Sequence, residues 1–135
     1  MTVLITSLIV CLTAQSNSDW ALLDLLGQAP HTTLIREYVL ENGDVGRAYA
    51  SSEGIDRAPD AVTRYYEDQL LKLGWESIER HAAISGYQKG SRMVVISRAG
   101  PDDPGLTPGA KLLKERPVPA DAKFFFEIEA GAVPR

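Results

Sequence analysis

The chain reads as an α+β domain, an antiparallel sheet with one main helix packed on one face, in the order β-β-α-β-β-β, long loop, β. Three features predict this. Strand-like runs stand on either side of two tight turns, Asn42-Gly43 and Gly90-Ser91. One run of helical periodicity is bounded by Pro59 and Gly74. The length, 135 residues with 44% hydrophobic, suits a single core of ordinary size.

Thr32 opens the body. Leu34–Leu40 and Val45–Ser51 flank Glu41-Asn42-Gly43-Asp44, and Asn-Gly between such runs is a strong hairpin signal because its turn needs positive φ. With Asn42-Gly43 as a two-residue loop, Leu40 faces Val45, Tyr38 faces Arg47 and Arg36 faces Tyr49. The opposite face then carries Ile35 and Val39 against Gly46, Ala48 and Ala50, and those small residues make it the expected side for the core helix. Ala58-Pro59-Asp60 opens that helix, with proline tolerated in the first turn and a carboxylate near the positive end of the dipole. Val62, Tyr65, Tyr66, Gln69, Leu70 and Leu73 recur at spacings of three and four. Gly74 is the left-handed stop, and Trp75 is expected to fold back on Leu70. Glu76–His81 reads as a strand, and Ala82–Lys89 with Arg92–Arg98 as a second hairpin in which Tyr87 faces Val94 and Ser85 faces Ile96. Residues 100–119 hold five of the eight prolines and read as a long loop with at most a helical turn at Ala110–Glu115. Asp121–Glu129 is the last strand, with Phe124, Phe126 and Ile128 pointing one way. The expected organisation is an apolar leader and short helix over 1–30, the α+β domain over 31–130 and a tail over 131–135.

The N-terminus bears on compartment. Val3–Ala14 is a mostly apolar run with no charged side chain before Asp19. A spanning helix needs about 20 residues, whereas the apolar part of an export signal needs roughly 7–15. The run therefore reads as an export signal or membrane anchor, although no Lys or Arg precedes it. The competing reading is a buried first strand. Cys11 is either a lipid-attachment site or a buried hydrophobic cysteine. Ser18 or Asp19 caps a short helix over Trp20–Leu26, stopped by Gly27, and Trp20 has the position of an interfacial anchor.

Charge and composition exclude several functions. Fourteen Lys+Arg against eighteen Asp+Glu leave a net charge of −4 and a pI near 5.1, which opposes non-specific nucleic-acid binding. One cysteine excludes an intramolecular disulfide framework. No phosphate-binding loop, dinucleotide fingerprint, HExxH, GxSxG or EF-hand pattern occurs. Asp102-Asp103 reads as loop punctuation rather than a cation site. Glu79 and His81 share a strand face and form a carboxylate–imidazole pair, with Glu76 nearby. A solvated edge explains them more simply. His31 beside Pro30 reads as a loop residue. Tyr65, Tyr66 and Trp75 are either core or the wall of a ligand groove. No catalytic, cofactor-binding or metal-ligating residue is assigned, and no cofactor is expected.

Val62, Tyr65, Tyr66, Leu70, Gly74 and Trp75, with a Lys89-Gly90 turn downstream, carry a resemblance. The segment resembles a group of small uncharacterised bacterial exported or membrane-anchored domains with a V-x-x-[FY]-Y-x-x-x-L-x-x-x-G-W helix, over roughly residues 30–98. That resemblance implies an envelope location and a non-catalytic role. The expected function is a non-enzymatic interaction or assembly module of the envelope, with another envelope protein as partner, membrane contact through the N-terminal segment and no nucleic acid. The alternatives are a small-ligand-binding domain or weak enzyme using the uncovered sheet face, and a cytoplasmic location.

Overall fold

A computed structural model of the chain describes residues 18–54, 57–81, 83–99, 106 and 108–134. The fold is α+β. Helix α1 covers residues 18–26, followed by β1 (Thr32–Val39), β2 (Val45–Ser51), α2 (Ala58–Lys72), β3 (Glu76–Arg80), β4 (Ile84–Lys89), β5 (Arg92–Ala99), β6 (Lys111–Glu115) and β7 (Phe124–Ala132). The strands form one seven-stranded sheet in the order β3-β4-β5-β7-β2-β1-β6, with every neighbour antiparallel.

Both helices lie on one face: α1 is the short helix expected over Trp20–Leu26, and it packs into the core beside α2. Leu23 and Leu26 of α1 join Val62, Tyr66 and Leu70 of α2 in the main core, against Val45, Tyr49, Tyr87, Val94, Ile96, Phe124, Phe126 and Ile128 of the sheet. Phe126 is the hub. Tyr49 stacks on it at 5.2 Å between ring centroids, and Tyr66 and Phe124 approach to 6.0 and 6.4 Å. Such offset and tilted arrangements suit the ring quadrupoles. Trp20 is half-buried against this core. The Arg47 guanidinium sits 5.3 Å over its ring and reaches Asp24 at 2.7 Å and Glu37 at 3.4 Å, which ties α1 to β1 and β2.

Helix α2 ends as its sequence predicts. The Trp75 N–H donates to the Leu70 carbonyl at 2.9 Å and the Gly74 N–H to Leu71 at 3.1 Å, with Gly74 at φ 89°. This pair of bonds is the Schellman closure. It turns Trp75 back into the core beside Leu70.

The first hairpin departs from its expected register by one residue. The loop is Glu41-Asn42-Gly43: Leu40 N–H donates to Asp44 O at 2.8 Å, Gly43 N–H donates to Leu40 O at 2.9 Å, and Gly43 takes φ 92°. Asp44 N–H also donates to the Asn42 side-chain oxygen at 3.0 Å. A three-residue loop ending in a left-handed glycine competes directly with the two-residue form. As a result Val39 faces Val45, Tyr38 faces Gly46 and Glu37 faces Arg47, so the expected Arg–Tyr pairs do not form. Ile35 is an extra residue in a bulge between Leu34 and Arg36.

The helices also take the face opposite to the one expected. The small residues Ala48 and Ala50 sit beneath Ile35, Tyr38 and Phe125, which form a second buried cluster with Leu40, Ala110 and Ala122 against it. Space left by small residues is filled here by aromatic rings from neighbouring strands, not by a helix. The Tyr38 ring lies directly over Gly46, and its hydroxyl donates to Glu129 at 2.8 Å.

Two further expectations change. The segment expected to hold at most a helical turn contains β6, whose residues pair with Arg36–Val39 of β1. The last strand runs on to Ala132 and passes through Gly131, where a side chain would collide with Asp44. The β4–β5 register is as predicted, with Tyr87 facing Val94 and Ser85 facing Ile96. The expectations for residues 1–17, including Cys11, lie outside the described residues.

Two substitutions test these packing arguments. Gly74→Ala is expected to lose about 1 kcal/mol or more of unfolding free energy, because an L side chain resists φ 89°; urea denaturation measures this. Gly46→Ala is expected to cost about 2 kcal/mol or more, since its methyl group must displace the buried Tyr38 ring and break the bond to Glu129. A smaller cost of Gly46→Ala in a Tyr38→Ala background than in the wild-type chain would locate the clash.

Candidate functional site

A recess with mixed chemistry lies where the α1–β1 connection meets α2. Its position follows from how the end of α1 is held. Gly27 takes φ 69° and its N–H closes the helix on the Leu23 carbonyl at 3.1 Å. The last carbonyls of a helix have no partner within it. Here Gln69 donates to Leu26 O at 3.0 Å and the Tyr66 hydroxyl to Gly27 O at 3.3 Å, while Ala29 N–H donates to the Tyr66 oxygen at 3.3 Å. Burial, with the neighbouring Tyr49, pushes the Tyr66 phenol far above its ordinary range, so it stays a donor. Tyr65 meets the Tyr66 ring edge-on at 5.0 Å.

His31 follows at φ 62°, the one described non-glycine residue in the left-handed region. That conformation costs of order 1–3 kcal/mol and persists only where surroundings enforce it. The enforcement is visible. The His31 carbonyl accepts from Ser52 N–H at 2.9 Å and from the Ser52 hydroxyl at 3.3 Å, and the Thr32 hydroxyl donates to Ala29 O at 2.6 Å. The His31 imidazole stands 3.5 Å from the Glu53 carboxylate. Glu53 is itself fixed through its N–H to the buried Ser51 hydroxyl at 3.2 Å.

These residues border a cleft of about 400 Å³ whose wall includes Pro30, Val62, Arg64, Tyr65 and Asp68. A shallower polar recess of about 160 Å³ adjoins it across His31 and Ser51, with Thr33 and Asp121 on its far side. Volumes of about 300–1,000 Å³ with a few convergent polar groups are typical of small-ligand sites. Arg64 and Asp68 make no ion pair among the described residues. The cleft therefore offers one uncommitted cation, one uncommitted anion and a phenol above an apolar floor.

The residues singled out from the sequence fare unevenly. Glu79 and His81 do meet, at 2.9 Å, but at the exposed end of an outer strand, and neither lines the His31 cleft or the recess beside it. Glu76 is exposed on the same strand. Tyr66 is wholly core and Tyr65 lines the cleft. Trp75 is buried but also borders a separate recess at the other end of α2. Asp102 and Asp103 lie outside the described residues. His31 lies in the turn before β1, as expected of a loop residue, and also lines both recesses. Ser51, Glu53, Arg64 and Asp68 gave no signal, because the cleft is assembled from three segments distant in sequence. Among the described residues no group of three or more His, Cys, Asp or Glu side chains is placed to hold a metal ion, and no helix is long and apolar enough to cross a membrane.

Comparison of the chain with protein-family models, with curated proteins and with solved structures finds no match.

On the opposite side of α2, Glu67 accepts from the Tyr87 hydroxyl at 2.8 Å and from Arg80, linking the helix to β3 and β4. Burial opposes the Glu67 charge, but the bonds from Arg80 and Tyr87 outweigh it and hold the carboxyl below its usual range. Burial, reinforced by Glu67, pushes Tyr87 up to about 12. The Glu67 contribution to stability is therefore present above the unfolded carboxyl value of about 4.3 and is lost as pH falls through the lower folded value. That of Tyr87 is present below about 10 and is lost as pH rises toward 12. Urea midpoints measured from pH 3 to 7 are expected to fall more steeply on the acid side for the wild-type chain than for Glu67→Gln.

Proposed function

We propose that the chain is a non-enzymatic binding module of the cell envelope, held there by its apolar N-terminal run, and that it binds a small organic anion in the cleft beside His31. The observation that carries this reading is the cleft itself. A conformationally strained His31, the uncommitted Arg64 guanidinium and the Tyr65 phenol line about 400 Å³ with Pro30 and Val62, and Glu53 and Asp68 are the acidic groups of the same wall. A planar guanidinium matches a carboxylate in two parallel hydrogen bonds, and an apolar floor takes the rest of a small molecule. A binding role fits better than catalysis. The lining serine, Ser51, is 1% exposed and its hydroxyl already accepts the Glu53 N–H, so it is poorly placed to act as a nucleophile for His31.

Assembly by strand addition has less support. Both outer strands are bulged and charged, which are devices against edge pairing. The envelope location rests on the Val3–Ala14 run and on the helix motif ending in Gly74-Trp75.

Thermal melts of the full chain with benzoate, succinate and short-chain carboxylates test the proposal. A bound acid at about ten times its Kd is expected to raise the melting temperature by roughly 3–5 °C, and Arg64→Gln to abolish the rise. A panel that leaves the melt unmoved, or a rise that survives Arg64→Gln, would overturn the anion-binding reading.

A further inference from the structure

A second recess, of about 320 Å³, opens at the other end of α2. Its walls are Leu22 and Leu25 of α1, Leu73 and Trp75 from the α2 terminus, and Lys89 and Arg92 from the β4–β5 turn. Arg64 of the cleft and Leu73 of this recess are nine residues apart, about 13.5 Å at 1.5 Å per residue, and the two recesses share no lining residue. Three observations bear on what covers it.

The first is the apolar side of α1, on which Leu22 is half-buried against the core and Leu25 is exposed. Ser18, Leu22 and Leu25 stand at i, i+4 and i+7 and all line the recess, which places them on one side of α1, while Leu23 and Leu26 turn into the core. Leu25 is 63% exposed, the highest value among the large hydrophobic side chains described. A helix with one apolar side in the core and a second facing outward suits contact with an apolar medium.

The second is charge. Lys89 donates to the Leu73 carbonyl at 2.6 Å and Arg92 pairs with Asp19. Both basic groups thus stand at the rim of the recess; Arg92 and Asp19 offset one another, and Lys89 leaves the rim with a net positive charge. Glu76 pairs with Gln88, and strand alternation puts both on the sheet face opposite the helices. An apolar floor with a basic rim complements anionic headgroups above acyl chains.

The third is where the chain enters. Ser18, the first described residue, lines the recess, and the apolar run Val3–Ala14 ends four residues before it. A segment held in a bilayer would deliver the domain to the membrane with this recess nearest the surface.

We propose that the α1–α2 recess is a membrane-facing surface, in which Leu22 and Leu25 enter the headgroup region of an anionic bilayer while Lys89 and Arg92 meet its phosphates. The inference rests on the reading of residues 3–14 as a membrane anchor, and it adds which side of the domain faces the lipid.

The experiment uses the full chain with Cys11→Ser, bearing a bimane label at either Leu25→Cys or Thr33→Cys. Both positions are exposed, and Thr33 lies beside the polar recess next to His31. The labelled chains are mixed with phosphatidylcholine vesicles, with or without phosphatidylserine, that carry nitroxide on the upper acyl carbons. The label at residue 25 is expected to be quenched about threefold more than that at residue 33, with the difference shrinking when phosphatidylserine is omitted. Equal quenching at both positions in chain that sediments with the vesicles would overturn the proposed orientation and leave the anchor reading standing. Chain that stays in the supernatant with both vesicle types would overturn both.

Discussion

The fold depends on the central position of β7. It is the last strand of the chain, yet it lies between β5 and β2 and pairs with both along nearly its whole length. Without it the β1–β2 hairpin and the β3–β4–β5 meander would be separate pieces, each too small to hold a core. Its composition matches that burden. Phe124, Phe126 and Ile128 face the helices, and Phe125 enters the cluster on the other face. The strand is thus apolar on both sides through its first turn of alternation, as a fully buried strand must be. These pairings span long sequence separations, so loop-closure entropy is spent before they form. The two halves are expected to assemble late and together.

Around that strand the helices are held by a few polar hooks over a large apolar contact. Tyr66 and Gln69 satisfy the end of α1, Arg47 grips α1 from the sheet, and Arg98 donates to Pro59 O and to the Thr63 hydroxyl near the start of α2. Each replaces a lost interaction with water at a helix end or buried edge, where an unsatisfied group would cost about 1–3 kcal/mol. The same hooks set the cleft. The distance between His31 and Arg64 is governed by Tyr66, which joins the residues just before His31 to the helix bearing Arg64. Packing and binding geometry are therefore one arrangement, and a change at Tyr66 would reach the cleft without touching it.

The outer strands show the opposite economy. Ile78 is the extra residue between Ser77 and Glu79 on β3, and Leu113 the extra residue between Leu112 and Lys114 on β6. All residues of both strands are exposed. A bulge bends the edge and interrupts its row of hydrogen-bonding groups, and lysine discourages a partner strand. The Arg116 N–H closes the gap left at the β1 bulge by donating to Ile35 O at 2.8 Å.

The sequence by itself determined the elements whose signals are local. The period of α2, its Gly74 stop and the turn-back of Trp75 follow from side-chain spacing and from glycine's freedom at positive φ. The Gly90-Ser91 hairpin and its register were legible for the same reason, and so was the alternation of Phe124, Phe126 and Ile128. What only the tertiary structure decided needs two or more distant segments. The three-residue form of the first hairpin exchanged the sides of Tyr38 and Val39, because a shift of one residue exchanges the two sides of a strand, while the bulge at Ile35 kept that residue with Ala48 and Ala50. The side on which the helices pack was set by the large apolar residues of the other strands, Tyr87, Val94, Ile96 and Phe126. Strand β6 was hidden in a proline-rich stretch, since its pairing comes wholly from β1. The His31 cleft was hidden more deeply still. Its residues come from three separate segments, and the left-handed backbone of His31 is imposed by Ser52 and the end of α1, not by any property of histidine that its neighbours in sequence reveal.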